Sequence, residues 1–381
     1  MSSASPGRLL ALIRSGDQWT RQQLLEETGM SRPTLLARLA PLITGGLVYE
    51  TGPLASPRGR PAQLIRFDDR SLRTLAIDVG HTRAQVSVTD IYGRALRTRQ
   101  TLVDMYEADA GDLLPPLLGI GADLLDAGDP HERLVGVGIG LPAPIDPRTG
   151  APGRKWIMPT WQKYPIKERI QERWAVPVVL ENDARALALG ESGMHEARTV
   201  LGVKWSSGLG AGLVVDGRLL DGEDGSAGDI GHIRVVPSGP EPQCRCGLYG
   251  CVAAYASGHA LLEQLNLHSL GEIVQRNQAG DTAVDQALTA AGEHVGAVLA
   301  SLISMLNPGV LILSGIIGRI PHVVDAVSRQ VRATALSHST AGLRIVSGGL
   351  GEQAASAGLA RLVAEHVLDP AVVDAAIVAS R

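Results

Sequence analysis

Cysteine is nearly absent from this 381-residue chain: there are three, all between positions 244 and 251. So few thiols exclude the disulfide framework of a small secreted scaffold. No apolar run in the sequence reaches membrane-spanning length, and the opening MSSASPGRLLALIRSGDQ lacks the cationic segment and cleavage site of a secretory leader. A cytoplasmic location with no membrane partner is therefore expected, where thiols stay reduced and open to metal. Strong net charge is missing too, but the total of −4 conceals an asymmetry. Residues 1–67 hold eight Arg against Asp17, Glu26, Glu27 and Glu50, a net +4 that leaves −8 on the remainder. A basic head on an acidic body points to an anionic partner for the head alone, most simply nucleic acid. The length calls for two or three domains, and 45% hydrophobic with 19% charged residues is the balance of a soluble globular protein.

The few cysteines are concentrated. Cys244, Cys246 and Cys251 fall within eight positions, interspersed with turn-forming Gly247 and Gly250, and His232 lies twelve residues upstream. A Cys-x-Cys-x4-Cys loop that folds back on itself supplies three thiolates, and His232 supplies a fourth donor for a tetrahedral Zn2+. The competing readings are a disulfide with one thiol left over, or three inert buried thiols. Four protein ligands close the coordination sphere, so one structural ion per chain is expected rather than a hydrolytic one.

Within the head, Leu9, Leu10, Leu12 and Ile13 recur at helical spacing until Gly16. Thr20 reads as the N-cap of RQQLLEET, which Gly29 ends, and Ser31 caps a third helix, RPTLLARLAPLI. The apolar stripe of that helix is Leu35, Leu39, Leu42 and Ile43; Arg32, Thr34, Ala37 and Arg38 lie opposite. Two short helices joined by a tight glycine turn, the second basic near its start, have helix-turn-helix character, with Arg32, Thr34 and Arg38 facing DNA. Residues 47–50 and 63–67 alternate like paired strands around Pro57-Arg58-Gly59-Arg60-Pro61. This wing tip is thin and extended, suited to placing the Arg58 and Arg60 guanidiniums, hinged by Gly59, in a narrow A·T minor groove.

From Leu75 the pattern becomes α/β. Strands at 75–80 and 83–90 and a third through Thr101 form a meander, followed by a helix near 113–127, a strand at 134–139, the turn-rich loop Gly140–Asp146, a strand at 176–180 and the helix after Glu181-Asn182-Asp183. The same grammar then repeats: strands at 200–206 and 211–215 joined by Ser207-Gly208-Leu209-Gly210, a hairpin at Asp216-Gly217, helices to about Leu306, a strand at 310–313, a helix from Pro321, a strand at 343–346 and a closing helix from Glu352. A duplicated unit implies two lobes around a cleft.

Asp78-x-Gly80, Glu181-Asn182-Asp183, Gly231-His232 with Cys244-x-Cys246-Gly247-x2-Gly250-Cys251, and Pro308 before a strand ending in Ser-Gly resemble, in this order, the ROK family of repressors, open reading frames and kinases. The resemblance covers roughly residues 73–365, and the winged helix ahead of it matches the repressor branch. It implies an actin/hexokinase-like (ribonuclease H-like) two-lobed fold, with a winged helix-turn-helix domain at 1–70, lobe 1 at 73–190 completed by helices at about 355–381, and lobe 2 at 191–354 carrying the zinc loop 231–251.

The resemblance also assigns roles. Asp183 takes the place of the kinases' base, but where those enzymes read Asp-x-Gly-Gly-Thr-Lys this chain reads Asp78-Val79-Gly80-His81-Thr82-Arg83, and their Gly-Thr-Gly loop becomes Ser207-Gly208-Leu209-Gly210. An imidazole and a leucine in phosphate loops argue against catalysis, leaving Asp183 vestigial. The family's sugar grip maps onto Asn182, Asp183, Asp229 and His232, with Asp229 standing for a Glu and Ala253 for a second Glu. Each lost charged hydrogen bond is worth about 1.5–3 kcal/mol, so ordinary sugar binding is weakened by roughly one to two orders of magnitude or the effector differs. The expected protein is a DNA-binding regulator, a repressor of carbohydrate-related genes, bound as a homodimer or homotetramer to a double-stranded operator and responsive to a sugar or sugar derivative. The alternatives are an ATP-dependent sugar kinase with an accessory head, and an orphan repressor without effector.

Overall fold

The computed structural model describes residues 5–51, 63–105, 107–153, 159–235 and 241–379. Local signals set the head. α1 (Pro6–Arg14) leads through β1 (Trp19–Thr20) into α2 (Arg21–Thr28) and α3 (Arg32–Thr44). Thr20 and Gln23 cap α2 reciprocally, Gly29 turns left-handed at φ 64°, and Ser31 Oγ accepts the Thr34 amide of α3. β2 (Val48–Glu50) and β3 (Leu64–Phe67) pair antiparallel, with β1 on the outer side of β3. The wing tip Pro57–Pro61, and with it Arg58, Gly59 and Arg60, lies outside the described residues. One expected core position is corrected: Ile43 is 38% exposed. Leu35, Leu39 and Leu42 already complete the buried stripe of α3, and Ile43 falls about 100° further round the helix.

The body consists of two five-stranded sheets of identical topology. In the first, β4 (Leu72–Val79), β5 (Arg83–Asp90) and β6 (Ala95–Leu102) form an antiparallel meander; α4 (Ala110–Asp126) then crosses to β7 (Arg133–Leu141), parallel to β4. α5 (Pro159–Lys163) and α6 (Ile166–Trp174) lead to β8 (Val178–Asn182), parallel to β7, and α7 (Asp183–Ser192) follows without a gap. In the second, β9 (Thr199–Trp205), β10 (Leu209–Val215) and β11 (Arg218–Leu219) repeat the meander. After α8 (Val252–Ala256), α9 (Gly258–Leu265), α10 (Leu270–Gln278) and α11 (Thr282–Leu306), β12 (Val310–Ser314) pairs parallel with β9. α12 (Gly315–Gly318), α13 (Pro321–Thr334) and α14 (Ser337–Thr340) precede β13 (Arg344–Ser347), and α15 (Ala354–Val367) and α16 (Pro370–Ala379) end the described chain. The orders β6-β5-β4-β7-β8 and β11-β10-β9-β12-β13 are the same arrangement used twice.

α7 and α15 join the lobes where glycine lets backbones touch. A Cβ on Gly358 would stand 1.8 Å from the Ala186 carbonyl oxygen, and one on Gly190 would stand 2.0 Å from that of Ala354. On the other side of α7, Ala188 fits against Gly202 of β9 and Gly212 of β10. Any side chain at these four glycines would force the two sheets apart.

Two features depart from the sequence pattern. α11 contains a window long and apolar enough to cross a membrane by length and composition. Its Leu288, Val295, Leu299 and Ile303 are buried in the lobe 2 core with Trp205, Leu311 and Leu313, so its hydropathy is that of a core helix. Among the described residues, moreover, the head shares its core with the body: Leu9, Leu10, Ile13, Leu39 and Leu42 form one cluster with Leu72, Ile91, Ala364, Leu368 and Val373. α16 runs back to pack on α1, where the Gly7 amide donates to Asp374 Oδ1 at 2.8 Å, and Arg133 of β7 donates to the carbonyl of Gly45 at the end of α3. The head is thus fixed to the body by the last helix.

Candidate functional site

Residues 231–235 and 241–251 close into a knot. Gly247, at φ 87°, turns the chain so that its amide reaches the Cys244 carbonyl, Leu248 accepts the Cys244 amide, and an Arg234–Glu241 ion pair clips the ends. Isolated bridges pair Arg234 with Cys251 and Gln243 with Tyr249. These bonds bring His232, Cys244, Cys246 and Cys251 together with their ligand atoms all within 4.8 Å of one another. His232 Nδ1 lies 3.6 Å from Cys244 Sγ, and Cys246 Sγ lies 3.6 Å from Cys251 Sγ. Sulfurs so spaced are not disulfide-bonded, and thiolates at about 2.3 Å from a common tetrahedral ion would stand at nearly this separation. Burial, the main influence, pushes the Cys251 thiol up to about 12, and Cys246 and Cys244 beside it add to the rise. The cluster can hold a metal ion. Ligation through Nδ1 leaves the other ring nitrogen of His232 for a separate partner.

The cleft is assembled at the strand ends. Asp78 lies near the C-terminal end of β4, and neighbouring Gly140 keeps the space open: a Cβ there would be 3.3 Å from Asp78 Oδ1 and 3.6 Å from the Asp183 Cα. Asn182 is fully engaged by protein. Its Oδ1 accepts the amides of Ala184 and Arg185, capping α7, while Nδ2 donates to the carbonyls of Leu141 and Ala143. It thereby fixes both Asp183, the first residue of α7, and the loop after β7. That loop meets the other lobe at Gly225, whose Cβ would lie 1.9 Å from the Ile145 carbonyl oxygen. From Gly225 the chain runs into Asp229, at the head of a 3-10 turn spanning Ile230–His232.

Two cations absent from the expected set organise this region. Arg185, 3% exposed, donates to both Glu181 oxygens, to Asp221 and to the carbonyls of Leu220 and Ala227, which ties the 220–227 segment to α7. Lys204, on β9, donates to Asp183 Oδ2 at 2.8 Å and stands 3.6 Å from Asp78 Oδ1. Burial is the largest influence on Lys204 and pulls it down, but Asp183 and Asp78 together outweigh it and hold the ammonium above its usual range. Burial raises Asp78, with Lys204 acting against it. The one signal in the sequence is a lone lysine, one of four in the chain, inside the otherwise apolar strand Val200–Trp205.

His81 follows β4, and its Cε1 comes within 3.2 Å of where a Cβ on Gly208 would be, so the imidazole fills the space between the two loops likened to phosphate loops. Burial chiefly lowers its pKa and keeps it neutral, against the pull of Asp183. The second loop is tighter than expected. Leu209 already pairs with Trp205 in β10, so the turn is Ser206-Ser207-Gly208 and Leu209 is a strand residue. Ala253 lies in α8, where its Cβ is 3.5 Å from the position of a Cβ on Gly231. In the head, Arg32 is exposed at the start of α3, Thr34 Oγ1 meets Ser31 Oγ at 2.9 Å, and Arg38 is half-buried.

Comparison with known proteins agrees with this architecture. The xylose repressor of Bacillus subtilis is 28% identical over 377 residues, covering 95% of each chain. The DNA-binding transcriptional dual regulator NagC of Escherichia coli is 26% identical over 369 residues, covering 91% of this chain and 89% of its own. Among solved structures, a ROK family transcriptional regulator, homolog of the E. coli MLC protein, superposes with a TM-score of 0.79 at 24% identity over 99% of both chains. A ROK family glucokinase from Streptomyces griseus, in complex with glucose and AMPPNP, superposes with a TM-score of 0.66 at 26% identity, covering 76% of this chain and 98% of its own. The model of the ROK family matches residues 74–366, and with the duplicated sheets, the Cys/His knot and a body that takes up most of the sequence, the chain belongs to that family.

Proposed function

We propose that the chain is a DNA-binding transcriptional regulator, a repressor of carbohydrate-related genes, whose cleft takes a sugar or sugar-derived effector. The observation that carries this reading is coverage. Similarity to repressors extends over 95% of the chain, head included, whereas similarity to the S. griseus glucokinase stops at 76%. α3 presents Arg32, Thr34 and Arg38 to the major groove, and Arg58-Gly59-Arg60 enters the flanking minor groove. Asp183, Asp229 and His232 face the effector, and Asn182 positions the first of these. One Zn2+ held by His232, Cys244, Cys246 and Cys251 secures the segment that carries His232. Two or four copies assemble on a palindromic operator.

The kinase reading rests on Asp183, which is retained. One of its two oxygens, Oδ2, accepts from Lys204, and His81 lies against Gly208, where backbone would have to approach a phosphate. A thermal-shift panel of sugars, sugar acids and sugar phosphates tests the sensor reading, since a ligand of the native state must raise the melting temperature. A sugar-dependent release of ADP from ATP that disappears in Asp183→Ala would overturn the non-enzymatic reading. Arg60→Ala is expected to weaken operators with A·T flanks most; equal loss on G·C flanks would remove the minor-groove role.

A further inference from the structure

Phosphoryl transfer on this two-lobed fold needs Mg2+ beside the transferring phosphate and a carboxylate free to take the acceptor's proton. The donor set here does not fit that ion. Asp78, on lobe 1, and Asp183, at the start of α7, are the carboxylates beside the two loops, and both face the Lys204 ammonium from lobe 2, at 3.6 Å and 2.8 Å. Mg2+ demands six oxygens in near-octahedral order at about 2.0–2.1 Å. An ion on either carboxylate would share it with a lysine a few ångströms away, a like-charge contact in a site where all three side chains are at most 16% exposed. Lys204 cannot withdraw without leaving two buried carboxylates uncompensated. Gly140, which has no side chain, leaves room for the three groups to meet.

Resting on the reading of the chain as a regulator, we infer that Lys204 is a resident cation that takes the place of the divalent metal between Asp78 and Asp183, so that the cleft receives its ligand without a divalent metal. The same charge pairing ties β9 to β4 and α7, across the two lobes. A ligand hydroxyl that hydrogen-bonds to Asp183 must share that carboxylate with the lysine. Lys204 is thereby a specificity-determining residue: it selects against metal-bound phosphates and in favour of ligands that add no positive charge.

Mn2+ binding to the full-length, zinc-loaded protein, followed by paramagnetic resonance of the free ion, tests this. The wild-type chain and Lys204→Arg are expected not to bind Mn2+ at the cleft. Lys204→Met is expected to gain affinity of about tenfold or more, and Lys204→Met/Asp78→Asn to lose it again. Cleft binding by the wild type that Asp78→Asn abolishes, or a folded Lys204→Met with no gain, would overturn the assignment. Should Lys204→Met not fold, 15N-lysine spectra of the wild type decide, since the chain has only four lysines. The Lys204 ammonium signal is expected to be unchanged by Mn2+, and its selective broadening would overturn the proposal. Operator binding by the same samples keeps the two readings apart: a wild-type chain that takes up Mn2+ at the cleft yet binds operator refutes the role of Lys204 and leaves the regulator intact.

Discussion

The attachment of the head to the last helix gives the sharpest structural prediction, and Gly7 is the position that exposes it. A Cβ on Gly7 would stand 2.1 Å from the Pro370 carbonyl oxygen and 2.7 Å from that residue's Cα and carbonyl carbon. Backbone cannot be pushed aside as a flexible side chain can, so Gly7→Ala must move α16 away from α1 by about 1 Å, a typical overpacking cost of about 1–3 kcal/mol. The same shift stretches the bond from the Gly7 amide to Asp374, which satisfies an otherwise unpaired donor at the start of α1 with a carboxylate. Against this, alanine gains up to about 1 kcal/mol over glycine in a helix. The net expectation is a loss of about 2 kcal/mol, localised to the contact. Gly119→Ala is the matched control, because it lies within α4 with open space around the new Cβ and should stabilise by about 0.5–1 kcal/mol. Native-state hydrogen exchange reads the difference directly. Amides of α1 and α16 should exchange roughly 30-fold faster in Gly7→Ala and those of the lobe 2 sheet at the wild-type rate. Unchanged protection of α1 would refute the shared core.

Two further perturbations follow from the site. Arg185→Met leaves Glu181 buried without its partner and frees the 220–227 segment, so stability should fall by about 3–5 kcal/mol, measured by thermal or urea unfolding, and Arg185→Lys should rescue little because one ammonium cannot span Glu181 and two carbonyls. Purified protein should carry one zinc per chain by elemental analysis, and Cys246→Ser or chelation should remove it; at free zinc about a thousandfold above Kd the ion contributes about 4 kcal/mol, read as a fall in melting temperature. A metal content unaffected by Cys246→Ser would place the ion elsewhere.

Much of the local structure was legible because each signal is carried by neighbours in sequence. Thr20 with Gln23 and Ser31 with Thr34 form caps within one helical turn, and Asp216-Gly217 takes the positive φ values, 49° and 77°, that a two-residue hairpin requires. The knot was legible for the same reason, since its three thiols lie within eight residues. Contacts between distant segments were not. Gly7 and Asp374 are 367 residues apart, and nothing in α16 distinguishes a helix that closes lobe 1 from one that docks on the head. Lys204 was less legible because period-2 alternation describes a strand's two faces but not the carboxylates that approach from another sheet. Asn182 matches the family pattern, but its bonds to the Leu141 and Ala143 carbonyls join separate segments of the chain and lie outside any local signal.

Control of a DNA-reading head by a ligand-reading, non-catalytic cleft can be measured by selecting binding sites from random duplex DNA with the full-length protein and titrating the recovered site with the sugars that raise its melting temperature. A discrete palindromic site is expected, bound with steep salt dependence and with its affinity shifted by an effector in the absence of Mg2+ and ATP. No preference over random DNA, together with sugar-dependent ADP formation, would contradict it.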